Sequence, residues 1–493
     1  MREHLKQIGK HASIYTGANF LNKALGFFLI PIYVAHLSRG EIGTIGIVLQ
    51  VSAFLGILFT SGLNYSWARF YYQNDYRDEN QKTFLSSIIL FLMGFGLLFA
   101  LLLTFFGKPI MAVMVKGIDF DPYMILAIWS AFFMVIFNLK QQLFRIRQQS
   151  IAFGALSILK SALVLILSIV LIVGFDFGSL GRLIPEIGIL GVLFALSLVL
   201  LHKDMNYRID ISSLKKSLKY GLPFIPHTLT VIVMGLADKL ILNNYHNLAT
   251  VGVFQIAVQF GSIMSLIVIS SNMAYNPFFL KIVTEDKEKA KPVIAKLTKY
   301  AVLFYSFTAI LISSFARELI LVFTNADYIE GVQVIAIFVF TFFFFGLYQL
   351  MANKIMFEQK AARNIAFFTI IAGVVNILLN FYLIPSQGMI GASIASLVSN
   401  IVLFLASFIY AQRFFKIDYP YKSLFILFII VLVVLFFNLY LINQFNLPLL
   451  LEIVCKLVSV GIAFIALFKV GVINKSEYQN IMDIYQKHKP KKS

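Results

Sequence analysis

Charge is scarce in this chain. Asp, Glu, Lys and Arg make up 13% of its 493 residues, about half the share of an ordinary soluble protein, which argues against a soluble fold. Cysteine is scarcer still. The single Cys455 sits in an apolar run, so no disulfide framework and no cysteine metal site can form within the chain. The seven histidines are scattered, and neither a metal-ligand cluster nor a phosphate loop of the GxxxxGK[ST] type occurs. Nothing therefore points to ATP hydrolysis, a cofactor or a catalytic constellation. What fills the chain is apolar: 59% hydrophobic residues and a mean hydropathy of +0.85. Apolar runs of 18 or more residues recur, each long enough to cross ~30 Å of hydrocarbon. The expected fold is an all-α polytopic membrane protein.

The periodicity predicts fourteen spans, centred on 12–34, 43–64, 84–106, 122–143, 150–173, 183–201, 220–242, 249–271, 299–322, 331–352, 364–384, 389–411, 422–441 and 449–469. Pro223 and Pro226 predict an irregular entry to the seventh. The basic N-terminus precedes an apolar stretch too long for a signal-peptide core, so it reads as a retained first helix. With both termini cytoplasmic, 32 of the 41 Lys and Arg fall in inner segments and five in outer loops. That is a strong positive-inside bias. The net charge of +18 is then topology and attraction to anionic membrane lipid. Spread over many short loops, it is not a nucleic-acid footprint. The longest polar segments (65–83, 202–219, 272–298 and the tail) all fall inside.

The chain repeats at an offset of about 209. EIGTIGIVLQVSAFLGILFTS (41–61) lies over TVGVFQIAVQFGSIMSLIVIS (250–270), matching Gly43 with Gly252, Gln50 with Gln259 and Ser61 with Ser270. GSLG (178–181) lies over GMIG (388–391). Spans 1–6 and 7–12 are then two six-helix bundles in the same sense across the membrane, with the substrate site expected between them. The expected division is 1–205, 206–415, an accessory pair of spans at 416–470 and a basic cytoplasmic tail at 471–493.

Several charges fall within the spans. Lys23 sits about 16 Å from either end of the first, too deep to snorkel, and at that depth costs about 2.5–3.5 kcal/mol if it faces lipid. Thr16, Asn19, Lys23 and Gly26 share one helical face, which reads as the wall of an aqueous cavity. Lys160 lies beside Gly154, Ser157, Ser161 and Ser168 on the fifth span. Neither lysine has an acidic residue within helical reach. Both either bind an anion or pair with a carboxylate from another helix. Asp238 either pairs with Lys23 across the bundles or holds a coupling cation, and Lys239 is placed to snorkel. Arg69 either guides an anionic headgroup inward or only sets topology. Asn376 and Asn380 are expected to hydrogen-bond between helices, and Glu452 and Lys456 to neutralise each other at i, i+4.

NILLNFYLIPSQGMIGASIASLVSN (376–400), YGLPFIP (220–226), DKLIL (238–242) and VGVFQIA (251–257) carry a family likeness. With them the chain resembles, over roughly 1–412, the polysaccharide and O-antigen flippases of the superfamily that includes the multidrug-and-toxin exporters. The resemblance implies a V-shaped arrangement of two bundles. It also implies a cargo: a lipid-linked oligosaccharide on an undecaprenyl pyrophosphate carrier, moved across a bacterial cytoplasmic membrane for surface polysaccharide synthesis. Polysaccharide polymerase and glycosyltransferases are the implied partners. A lipid II flippase, whose branch shares the extra pair of spans, is a near alternative. A cation-coupled multidrug exporter is a further one, although it would need cavity carboxylates and none lies deep in the first bundle. A membrane-bound polymerase would display long outer loops, and these are short. The expected site is Lys23, Lys160, Asn19 and Arg69, with Asp238 for coupling or pairing and no metal.

Overall fold

A computed structural model describes residues 2–71, 79–358, 363–441 and 448–470. The expected basic tail at 471–493 lies outside the described residues. The first half comprises α1 (Arg2–His36), α2 (Arg39–Thr60), α3 (Leu63–Phe70), α4 (Glu79–Phe106), α5 (Lys108–Met114), α6 (Ile125–Ile146), α7 (Ser150–Ile169) and α8 (Leu180–His202). The second comprises α9 (Ile211–Gly221), α10 (Ile225–Tyr245), α11 (Leu248–Gly261), α12 (Ile263–Glu285), α13 (Lys287–Ser314), α14 (Ala316–Phe323), α15 (Gly331–Phe357) and α16 (Arg363–Phe414). Two further helices follow, α17 (Tyr421–Phe436) and α18 (Leu449–Lys469).

Twelve helical segments among the described residues are long and apolar enough to span a membrane, with Tyr421–Phe436 a shorter apolar one. One of the twelve is α16, which counts double. At Gly388 the backbone takes φ 55° and ψ −130°, a conformation open to glycine without a Cβ penalty. A Cβ at Gly391 would lie 2.6 Å from the Leu383 carbonyl oxygen, although eight residues of straight helix span about 12 Å. The chain thus doubles back, and α16 is the expected eleventh and twelfth spans joined by a tight turn. Counting α16 twice and adding the shorter apolar α17 gives fourteen candidate crossings among the described residues.

Two expectations about boundaries change. The segment 272–298 is not a loop: α12 runs on to Glu285, and α13 starts at Lys287 behind an Asp286 cap that accepts from the Glu288 and Lys289 amides. The ninth span begins earlier than expected and ends at Ser314, where a break at Phe315 leads into α14. The irregular entry to the seventh span is present as a 3₁₀ turn at Leu222–Phe224 between α9 and α10.

Packing follows the repeat. In the first half α2 packs on α6, α6 on α8 and α1 on α7; in the second α11 packs on α15, α15 on α16 and α10 on α16. The halves meet where α2 crosses α11. A Cβ at Gly43 would lie 2.1 Å from the Leu248 carbonyl oxygen, and one at Gly252 would lie 1.9 Å from that of Arg39. Both partners are separated by the repeat offset, so the crossing is reciprocal. A second close approach lies at the other end of α2. There Gly62 (φ +70°) and Gly221 would each place a Cβ within 2.4 Å of the other's carbonyl oxygen. The two contacts are about 28 Å apart along the helix, so the bundles touch at both ends of one membrane crossing.

Gly43→Ala or Gly252→Ala is expected to lower the thermal midpoint in detergent, at an overpacking cost of about 1–3 kcal/mol. Gly17→Ala is the control: nothing lies within 4 Å of its added Cβ, so the midpoint should hold or rise.

Candidate functional site

The seam between the bundles is lined by α1 and α2 on one side and by α10, α11 and α12 on the other. Its polar contacts are of one kind. Gln50 donates to the Ile232 carbonyl (3.3 Å), Gln259 to the Gly26 carbonyl (3.1 Å) and Lys239 to the Gly46 carbonyl (3.0 Å). Lys23 donates to the Ser265 hydroxyl at 3.2 Å, and Thr16 to the Met273 sulfur at 3.7 Å. Each joins a side chain to an uncharged partner. The ion pairs lie elsewhere: Arg147–Asp204 and Lys160–Glu186 within the first bundle, Lys287–Glu358 within the second.

Lys23 sits mid-seam with its side chain partly exposed, and Asn19, one turn away, is exposed. The ammonium has a neutral partner and no carboxylate among its described contacts. The face bearing Thr16 and Lys23 looks at α12, because both reach residues of that helix. The adjacent face looks at α7, where the Asn22 amide donates to Ser157 at 2.6 Å. The small residues beside Lys160 therefore serve packing: a Cβ at Gly154 would lie 3.5 Å from that of Ala18. Gly154 and Ser157 thus form a helix contact with α1.

The structure corrects three of the charges. Lys160 pairs with Glu186 at 2.7 Å, and Glu186 also takes Arg182 at 2.8 Å. The lysine is thus held by a carboxylate of α8, and the first bundle does carry a carboxylate inside a span, neutralised by two cations. Asp238 does not pair with Lys23. Its Oδ1 accepts from Asn376 (3.2 Å) and Asn380 (2.6 Å) and its Oδ2 from Ser396 (2.8 Å), all on α16. Lys239 does not snorkel, being buried and bonded to α2.

The remaining residues fall as follows. Asn376 and Asn380 bond between helices as expected, to α10. Arg69, on α3, has its guanidinium 4.6 Å from the Tyr220 ring centre; that favourable contact leaves it apart from Lys23. Glu452 and Lys456 neutralise each other at 2.7 Å within a larger group: Lys456 also meets Glu318 at 2.6 Å, and Glu452 meets Arg317 at 2.7 Å. The group ties α18 to α14. Sequence reasoning missed Ser265 and the Gly62–Gly221 contact, both of which depend on residues more than 150 positions apart. Arg182 and Glu186, an i, i+4 pair, were legible.

Two measurements check this geometry. Lys160→Ala should lower stability by about 3–5 kcal/mol, because it strips a partner from a largely buried carboxylate, whereas Lys23→Ala should fold with little loss. A cysteine at Asn19 should react quickly with a charged, membrane-impermeant thiol reagent and one at Ser157 slowly. Equal rates would contradict the orientation of α1.

The sequence model described as "Polysaccharide biosynthesis protein" matches residues 8–283, and that described as "MatE" matches residues 223–382. Among solved structures, the lipid II flippase MurJ in an inward closed conformation is similar over 93% of this chain and 99% of that one, with TM-score 0.72 and 17% identity. An inward-facing multidrug resistance MATE family transporter of the MOP superfamily covers 79% and 95%, with TM-score 0.64 and 16% identity. A point mutant of the Vibrio cholerae MATE transporter VcmN covers 83% and 96%, with TM-score 0.57 and 17% identity. At these identities the likeness is one of fold. No match was found among curated protein sequences.

Proposed function

The chain belongs to the polysaccharide biosynthesis protein family, and we propose on that premise that it is a flippase for a lipid-linked oligosaccharide. The cargo is of the polyprenyl-pyrophosphate type, carried from the inner to the outer leaflet of a bacterial cytoplasmic membrane, with both chain termini on the cytoplasmic side. Glycosyltransferases would supply the substrate and a polysaccharide polymerase would consume it. The observation that carries this reading is Lys23, a cation between the bundles whose described partner is one neutral hydroxyl.

A pyrophosphate-sugar headgroup cannot enter hydrocarbon without losing the hydration of its charges. An ammonium in the seam replaces part of that hydration, and a phosphate oxygen displaces only the Ser265 hydroxyl to reach it. The Lys160–Glu186–Arg182 group adds one net positive charge behind this point without offering a free cation. The bundles would rock so that one glycine contact on α2 opens while the other stays shut. No covalent step is required. Asp238 would give direction as the holder of a coupling cation, supported by the Asn380 Oδ1 beside it, which is buried without a partner.

Lipid II is a second reading, favoured by the full-length likeness to MurJ; its headgroup would meet Lys23 through the same pyrophosphate chemistry. The multidrug-exporter reading has less support, because the seam presents a cation where a cationic drug would need a carboxylate.

In proteoliposomes, Lys23→Ala should abolish flipping of a polyprenyl-pyrophosphate oligosaccharide while protein level and thermal midpoint stay near wild type. Lys23→Arg should retain more activity than Lys23→Gln, and the reverse order would sink the anion reading. Asp238→Asn should remove the dependence of rate on the cation gradient; a residual dependence would place coupling elsewhere.

A further inference from the structure

A cavity of about 310 Å³ lies on the flank of the second bundle, between α13, α15, the returning arm of α16 and α17. It is away from the transport seam, since α1 and α2 meet the second bundle chiefly through α10, α11 and α12. Most of its wall is apolar, with Phe340, Phe344 and Leu427 among the lining residues. It opens sideways, where Leu405 and Phe428 are 47% and 46% exposed. Along α15 the wall runs from Phe340 to Met351, and along α17 from Tyr421 to Val431. Those stretches are about 15–16 Å of helix, or one leaflet of a ~30 Å hydrocarbon core.

At the end formed by the last turn of α15 and the 415–420 connection, two hydroxyl-bearing residues join the lining. Thr298 lines the cavity at 4% exposure, and its Oγ1 is buried without a hydrogen-bond partner. Tyr419 lines it as well, and its hydroxyl accepts a hydrogen bond from Lys354. Lys354 is 1% exposed, and its ammonium lies 4.7 Å from the centre of the Tyr419 ring and 3.7 Å from the Met351 sulfur, with no carboxylate among its described partners. A buried cation without a counter-ion is costly, and a nearby anion lessens that cost. The geometry also aims the chemistry. A phenol oxygen that accepts from the ammonium keeps its own O–H to donate, so Tyr419 and Thr298 are two hydroxyl donors backed by a positive charge. Lys416 and Lys422, both exposed on the same connection and the first turn of α17, flank the exposed Asp418, which leaves one net positive charge on this stretch.

We propose that this slot is a binding site for an anionic phospholipid, with one acyl chain along the aromatic wall and the phosphate at Tyr419 and Thr298 in front of Lys354. The depth of a single leaflet suits an acyl chain better than a long prenyl tail, and the polar end sits where a glycerophosphate group would lie. The site does not depend on the transport reading.

Native mass spectrometry of the full chain in detergent tests it, with phosphatidylglycerol and phosphatidylcholine of identical acyl chains as probes. The wild type should retain one phosphatidylglycerol in preference to phosphatidylcholine. Lys354→Met should reduce that preference by about tenfold, the loss expected for one charge-assisted contact. Thr298→Val, which keeps the side-chain shape, should reduce it in the same direction and serves if the lysine variant fails to fold. Leu405→Trp, which fills the lateral opening, should weaken both lipids. Equal retention of the two lipids by the wild type, or a preference unchanged in both Lys354→Met and Thr298→Val, would overturn the proposal. Displacement of phosphatidylglycerol by a polyprenyl phosphate, with loss of that displacement in Leu405→Trp, would overturn it too and make the slot part of the substrate path.

Discussion

The cost of a charge in hydrocarbon governs where every ionisable side chain of this protein can rest. Most of those inside the helices are settled by close partners. Glu186 is held between Lys160 and Arg182, and Lys456 between Glu318 and Glu452. Asp238 takes three neutral donors from α16. Lys239 spends its charge on a helix carbonyl across the seam. Lys23 and Lys354 are exceptions, each with a hydroxyl and no carboxylate among its described partners, and Lys23 is the one partly exposed at the seam. That combination is what supports the proposed role of Lys23.

The same constraint shapes how the two halves adhere. An ion pair across the seam would be costly to separate, because opening would leave each charge unpaired in a low-dielectric setting. The contacts observed there are side-chain bonds to carbonyls, a hydroxyl and a sulfur, each worth about 0.5–3 kcal/mol depending on whether a charge takes part. They are flanked by two glycine contacts that bring backbones together without interlocking side chains. The ion pairs named above sit inside a bundle or between the second bundle and α18. The charged ties therefore lie within the bundles or to α18, while the seam combines close helix packing of α2 on α11 with uncharged polar contacts, so that parting it would leave no described ion pair broken.

Much of this was legible in the sequence. Hydropathy located the helical spans, and the 209-residue offset paired Gly43 with Gly252, which meet reciprocally in the structure. Pro223 and Pro226 marked the broken entry to α10. Partnerships between helices were less legible, for a physical reason: helical spacing reports only neighbours on the same helix. Glu186 lies 26 residues from Lys160, and the donors to Asp238 lie 138 to 158 residues away. Lys160 therefore looked free, and Asp238 looked available to Lys23. The small residues near Lys160 misled similarly, since a polar, small face suits close helix packing as well as water.

The corrected positions sharpen the case for Lys23. A phosphate approaching Lys160 would have to compete with a carboxylate 2.7 Å away, and removing a partner from such a pair costs about 3–5 kcal/mol. At Lys23 it would compete with a serine hydroxyl, a hydrogen bond to a charged group worth about 1.5–3 kcal/mol in total. Capture at Lys23 is the cheaper exchange. It is also the more easily reversed, because Ser265 can take the ammonium back when the headgroup leaves. If Lys23 is the capture point, a lightly satisfied cation would serve turnover better than a deeper electrostatic well, because a carrier must release what it binds.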